Sequence, residues 1–235
     1  MDEGLGRARR VAFFGGSFDP PHEGHLAVAR AAQMALGLDA VLFAPVGAQP
    51  LKPEGSVASF EDRVEMTRLA IAGEAGFALS LLDAPGLMAG PNYTVDSLLR
   101  LRDELALDAR LFCLMGADSF LSLHRWHRAA EIPFLASLIV ASRPGLPLED
   151  IEGALPNGLW VSEESSAESA VLRSYFIGDP DGRTGSLFVL PGLHVEISAS
   201  EIREAIHATD ESFGLHTPLL CTAVLGYIRG HGLYR

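Results

Sequence analysis

The sequence predicts an α/β protein with a doubly wound parallel sheet and a C-terminal helical portion, on three observations. Short apolar runs of strand length alternate with helix-capable segments along the chain, which right-handed crossovers turn into a parallel sheet. Two of those runs stop at glycine and lead into an acid, Gly15–Gly16 before Asp19 and Gly116 before Asp118. With 235 residues, 48% of them hydrophobic, the chain has ample apolar side chains for a core. The expected organisation is one domain over 1–235 with an irregular excursion at about 150–190.

Val11 to Phe14 has the length and composition of a buried strand, and it ends at Gly15 and Gly16, where the backbone can approach a ligand closely. Asp19, Pro20 and Pro21 delay the helix, which becomes possible from His22 to Leu36 and stops at Gly37. His22 and His25 then share one face of the first helical turn, where unpaired N–H groups and the helix dipole favour phosphate. Ala40 to Ala44 reads as a second strand, and Val46 to Pro53 as a proline-interrupted loop carrying Lys52. Ser59, with Asp62 three residues on, caps a scaffold helix running to about Ala72.

Phe77 to Leu82 is the third strand candidate, followed by a loop, Asp83 to Pro91, and a helix from Asn92 to Leu105 with Tyr93 and Thr94 at its start. Leu111 to Met115 is the fourth strand. A helix from Ser119 to Leu123 leads into His124, Arg125, Trp126, His127 and Arg128, whose ordinary reading is a half-exposed amphipathic helix with Trp126 in the core. Phe134 to Ala141 is the fifth strand. Beyond Leu146 the pattern weakens into an acidic loop at Glu163, Glu164 and Glu168. The GDPDG turn suggests a hairpin between Arg173 to Ile177 and Leu187 to Leu190. Val195 to Ile197 leads through Ser198 into a helix, Ser200 to Ala208, carrying Arg203. Pro218 opens the last helix, whose Leu219, Val224 and Ile228 are expected against the sheet. In doubly wound sheets ligands bind beyond the carboxyl ends of strands, so the loops at 15–25, 45–52, 83–92, 116–118 and 198–203 are expected to converge on one site.

The formal charge of −12 argues against a nucleic-acid or anionic-membrane surface. No apolar run approaches the ~20 residues of a membrane helix, and the N-terminus lacks the apolar core of a signal peptide. Cys113 and Cys221 have no metal or disulfide spacing, and a cytoplasmic location is the expectation. Spacing removes several chemistries. There is no GxGxxG with an acid after the second strand, no GK[ST] loop, no GxSxG elbow, and HEGH has its histidines three apart, unlike the HExxH zinc helix, so no protein-held metal is expected.

GGSFDPPHEGHL closely resembles the GGTFDPxHxGHL signature of the HxGH nucleotidyltransferases, and specifically of the nicotinate-nucleotide adenylyltransferase family. NYTVDSL from Asn92 resembles that family's SYTxDTL, MGADSFLSLHRW from Met115 its GADxLxxLxxW, ISASEIR from Ile197 its ISxTxIR, and VLGYIRGHGLY its C-terminal helix. Five ordered matches span nearly the whole chain. The resemblance implies a Rossmann-like nucleotidyltransferase fold and adenylyl transfer from ATP to nicotinate mononucleotide. The products are nicotinate adenine dinucleotide (NaAD) and pyrophosphate, with Mg²⁺ carried on the ATP phosphates. It implies catalytic roles for His22, His25 and Arg203, and ATP contacts at Gly15, Gly16, Ser17, Phe18, Gly116, Asp118, Ile197, Ser198 and Ser200. The second substrate falls to Lys52, Tyr93, Thr94 and Trp126, the last as a surface on which a flat ring can stack. Lys52 matches the lysine of the family's PPHK loop, while the preceding Gln49, Pro50 and Leu51 depart from it, and Ser17 and Ser200 replace threonines with their hydroxyls kept. The partners implied are these small molecules, with neither nucleic acid nor membrane, and a homo-oligomer is among the states allowed. Competing readings are transfer to nicotinamide mononucleotide or phosphopantetheine, and a nucleotide-binding regulator without catalysis.

Overall fold

The computed structural model describes residues 8–50, 54–86, 90–142, 151–164, 172–190, 198–208 and 219–235. Its strands are β1 (Arg10–Gly16), β2 (Ala40–Pro45), β3 (Phe77–Leu79), β4 (Arg110–Gly116), β5 (Ser137–Ala141), β6 (Trp160–Glu163), β7 (Arg173–Gly178) and β8 (Thr184–Leu190). Its helices are α1 (Glu23–Leu36), α2 (Phe60–Ala70), α3 (Thr94–Glu104), α4 (Ala117–Leu121), α5 (Ile132–Leu135), α6 (Ile151–Ala154), α7 (Ala199–His207) and α8 (Thr222–His231). The sheet runs in the order β3-β2-β1-β4-β5-β8-β7-β6. β1 pairs parallel to β4, β4 to β5 and β5 to β8, whereas β7 is antiparallel to both β8 and β6. The strand order reverses between β1 and β4, the switch point of a doubly wound sheet, so the expected fold class holds with an antiparallel extension added. None of the described helices is long and apolar enough to cross a membrane.

Two compact units divide the chain, with boundaries falling inside β1, α1 and β2. One comprises Met1–Phe14, Val28–Val41 and Tyr93–His194. Its buried strands are legible from their apolar runs: Val11 to Phe13, Phe112 to Leu114 and Leu138 to Val140 are almost wholly enclosed. Such enclosure contributes about 1.5–3 kcal/mol for each large side chain. Three expectations on this unit need correction. Phe134 and Leu135 belong to α5, not to the fifth strand, because Pro133 sits in the first helical turn, where its fixed φ is favourable, and extended backbone begins only at Ala136. The segment after β4 is not one amphipathic helix: α4 is followed by a 3-10 turn at Leu123–Arg125, and Arg128 takes a left-handed φ of 49°. The 150–190 excursion is regular for most of its described length. The hairpin over GDPDG forms, with Gly178 opposite Thr184, and α6 and the edge strand β6 were not expected. Glu163 closes β6, whereas Glu168 lies outside the described residues.

The second unit comprises Gly15–Ala27, Leu42–Asn92 and Val195–Arg235. Ser59 caps α2 as expected, accepting from the Asp62 N–H at 3.0 Å while its hydroxyl donates to Asp62 Oδ2 at 2.7 Å. That bond, with a second from the Tyr227 hydroxyl, holds the Asp62 carboxyl below its ordinary range. The third strand stops at Leu79, and the Ser80 N–H donates to Phe43 O at 2.8 Å. Val224 and Ile228 of α8, expected against the sheet, join Met66 and Ala70 of α2, Ile202 of α7 and Tyr234 in one buried cluster, with Leu219 packed against it. Pro218 lies outside the described residues, and Cys221 immediately precedes α8.

Gly47 and Ala48, after β2, are bonded to Asp83 and Asn92. Gly47 N–H donates to Asp83 O at 2.8 Å, Ala48 N–H to Asn92 Oδ1 at 2.9 Å, and Asn92 N–H to Ala48 O at 3.0 Å. A Cβ on Gly47 would lie 2.9 Å from both Asp83 O and Pro85 N, so only glycine fits without backbone movement. A Cβ on Gly116 would meet nothing within 4 Å. Urea unfolding should therefore show Gly47→Ala destabilised by roughly 1–3 kcal/mol and Gly116→Ala within about 0.5 kcal/mol of wild type.

Candidate active site

The glycine turn at the end of β1 is built around an aromatic ring. Phe18 has a left-handed φ of 47°, and its buried side chain folds back so that a Cβ on Gly16 would lie 3.1 Å from the ring tip. The same ring packs 5.5 Å from Phe43 and edge-on to His25 at 5.0 Å, centroid to centroid. Gly16 thus makes room for Phe18, and Phe18 forms a wall for His25. The Ser17 hydroxyl accepts from Gln49 Nε2 at 2.7 Å.

The two histidines lie together, their ring centroids 3.8 Å apart. Each Nδ1 accepts a backbone N–H: Gly24 donates to His22 Nδ1 at 3.1 Å, and His22 donates to His25 Nδ1 at 3.2 Å. A nitrogen that accepts cannot carry a proton, so both neutral rings bear it on Nε2. The loop therefore presents two Nε2–H donors. The first N–H groups of α1 are not free, contrary to the sequence expectation. Glu23 N–H donates to Leu219 O at 2.8 Å, and Gly24 and His25 N–H turn back to His22. The backbone at this helix start is thus hydrogen-bonded within the protein.

Asp19 is the hub of this unit. Its buried carboxylate accepts from Val57 N–H at 2.7 Å, Ala58 N–H at 3.1 Å and the Tyr234 hydroxyl at 2.7 Å. Its carbonyl accepts from Arg203 Nη1 at 2.7 Å, and the same guanidinium takes Ser200 Oγ as a second partner at 3.1 Å. Arg203 is thereby tethered to the glycine loop from 184 residues away. Ser198 starts α7 with a full capping box: its Oγ accepts from Glu201 N–H and donates to the Glu201 carboxylate, which also takes the Ser198 N–H. The Ser198 hydroxyl is thus engaged in forming the helix that carries Arg203.

Arg63 was read from the sequence only as part of a scaffold helix. It is 2% exposed, and it donates from Nη1 to Ser17 O at 2.7 Å and from Nη2 to Val46 O at 2.9 Å, joining the β1 and β2 loops. Burial pushes its pKa down, and the charge of Asp19 is the chief opposing effect. Its Nε has no partner among the described residues, which costs about 1–3 kcal/mol. The available signal was its position: Arg63, Met66, Thr67 and Ala70 form the buried stripe of α2 at helical spacing.

Gly15, Gly16, Ser17, Phe18, His22, His25, Ser198, Ser200 and Arg203 thus gather in the second unit. The remaining described candidates lie in the first. Gly116 ends β4, with Asp118 exposed in the first turn of α4. Thr94 opens α3 after Tyr93, whose ring lies against that of His127 with centroids 4.2 Å apart and planes tilted by 32°, and Trp126 Nε1 donates to Ser122 Oγ at 3.4 Å. Lys52 and Ile197 lie outside the described residues.

A cytidylyltransferase-like family model matches residues 13–205. The chain is 40% identical over 226 residues to a Gloeobacter violaceus protein named "Probable nicotinate-nucleotide adenylyltransferase", covering 96% of both chains. It is 39% identical to a Laribacter hongkongensis protein of the same name, covering 96% of this chain and 94% of that one. In structure it is similar to a Plasmodium falciparum nicotinic acid mononucleotide adenylyltransferase complexed with NaAD. The TM-score is 0.69 at 17% identity, with 96% of this chain and 97% of that one covered, which speaks to the fold.

Proposed function

Because this chain belongs to the cytidylyltransferase-like family and, within it, to the nicotinate-nucleotide adenylyltransferases, we propose that the 15–25 loop and α7 carry out its reaction. That reaction is adenylyl transfer from ATP to nicotinate mononucleotide, giving NaAD and pyrophosphate. A phosphate oxygen of the mononucleotide attacks the α-phosphorus of ATP, one new P–O bond forms, and the bond to the β-phosphate breaks. The nucleophile is already an anion, so no base has to remove a proton. What the site must supply is alignment and donors for the charge that grows on the leaving pyrophosphate.

The paired Nε2–H groups of His22 and His25 are the observation that carries this reading, since both rings are set as donors and neither as a base. Arg203, already tethered to Asp19, adds a fixed positive charge. Gly15, Gly16, Ser17 and Phe18 shape the loop, and Ser198 and Ser200 set the start of α7 and the Arg203 guanidinium. Gly116 and Asp118 are assigned to adenosine, Tyr93, Thr94, Trp126 and Lys52 to the pyridine nucleotide, and Ile197 to ATP. One nucleotidyltransferase domain over 1–235 is part of the proposal.

Among the described residues no group of three or more His, Cys, Asp or Glu could hold a metal ion, and Asp19, the buried carboxylate of the loop, is already filled with donors. Mg²⁺ is placed by this proposal on the ATP phosphates, where it would supply charge neutralisation.

Pyrophosphate release measured side by side with nicotinate mononucleotide, nicotinamide mononucleotide and phosphopantetheine tests the acceptor. The first should have by far the highest kcat/KM; preference for either of the others would overturn the assignment. Gly116→Ala, neutral for stability, should raise the KM for ATP, because its Cβ enters space assigned to the nucleotide.

A further inference from the structure

Tyr234, beyond the last helix, is tied to the reaction loop. α8 ends at Gly232, whose φ of 64° turns the chain: Gly232 N–H donates to Arg229 O at 3.3 Å and Leu233 N–H to Ile228 O at 3.0 Å. This is the doubly bonded helix stop that a left-handed glycine permits. It delivers Tyr234, itself at a left-handed φ of 63°, into the core against α2 and α7. The Tyr234 side chain is 9% exposed, and its hydroxyl donates to Asp19 Oδ1 across 215 residues of sequence. Burial foremost, then the Asp19 charge and this bond, push the phenol pKa far up, so it remains a donor at any working pH.

Packing alone would be served by phenylalanine. The hydroxyl adds a third donor to a carboxylate that two backbone N–H groups already hold, and it reaches the same residue whose carbonyl tethers Arg203. His22 follows Asp19 after only two prolines, so its ring inherits the Asp19 orientation with little slack. We propose that Tyr234 is a positioning residue for adenylyl transfer: its buried hydroxyl fixes Asp19, and through Asp19 the Arg203 guanidinium and the approach to His22. This rests on the adenylyl-transfer reading above. The expected consequence of losing it is a misplaced donor set, and a displacement of about 1 Å in such a set costs up to about 10² in rate.

Tyr234→Phe keeps the ring and removes the bond. Tyr227→Phe is the control, since Tyr227, on α8, also donates its hydroxyl to a carboxylate, that of Asp62 at 2.9 Å, and not to Asp19. kcat and both KM values should be measured at several temperatures below the unfolding midpoint of each protein. Tyr234→Phe should lose about tenfold or more in kcat, with the KM for nicotinate mononucleotide unchanged and the deficit persisting on cooling. Tyr227→Phe should keep wild-type kcat. A Tyr234→Phe kcat within twofold of wild type, or a deficit that vanishes on cooling, would overturn the inference and leave Tyr234 as packing. An inactive wild type would instead overturn the functional reading, and this inference with it.

Discussion

His25→Ala should lower kcat by about 10²–10³, the usual loss when one preorganised donor to developing charge is removed. The fold should tolerate the change. The ring is only half-buried, and its Nδ1 bond is to the neighbouring His22 N–H. His25→Gln separates donor from base. A glutamine amide can offer an N–H but cannot accept a proton, so it should recover part of the loss if the imidazole works as a donor. Stopped assays of pyrophosphate release at saturating ATP and mononucleotide give the comparison. A His25→Gln enzyme no better than His25→Ala would argue against the donor role.

Asp19→Ala carries the largest expected effect on stability, roughly 3–5 kcal/mol, because it breaks a buried charge set from one side. The Val57 and Ala58 N–H groups and the Tyr234 hydroxyl lose their acceptor. Arg63, 2% exposed, keeps a buried charge whose chief compensation was Asp19. For a chain of this size each 1 kcal/mol moves Tm by about 2–4 °C, so a loss of about 6–20 °C is expected. Scanning calorimetry beside urea unfolding measures it. Asp19→Asn keeps an acceptor for Tyr234 and removes the charge, so it should fall between Asp19→Ala and wild type.

The parts of the fold legible in the sequence are those fixed by local chemistry. β1 was readable because four apolar residues end at Gly15 and Gly16, and α2 because Ser59 and Asp62 form a cap that needs no distant partner. The GDPDG hairpin was readable for the same reason. What failed depended on tertiary pairing. Trp160 to Glu163 is mostly exposed on an edge strand and has no alternation to mark it; only its bonds to β7 make it a strand. The run from Phe134 is apolar in either conformation, so periodicity could not separate helix from strand, and the cue was Pro133. At the site, His22 and His25 announce themselves by spacing, whereas the Asp19 hub joins residues 19, 57, 58, 63, 203 and 234, which no local pattern connects. Asp19 looked like a helix breaker and Tyr234 like the end of a motif.

The donor assignment of the two histidines is tested most directly by nitrogen-15 NMR of the imidazole rings, with and without an ATP analogue. The expected result is that neutral His22 and His25 both carry the proton on Nε2, and that the analogue shifts both Nε2 signals. A proton on Nδ1 of either neutral ring, or Nε2 signals that ignore the nucleotide, would contradict it.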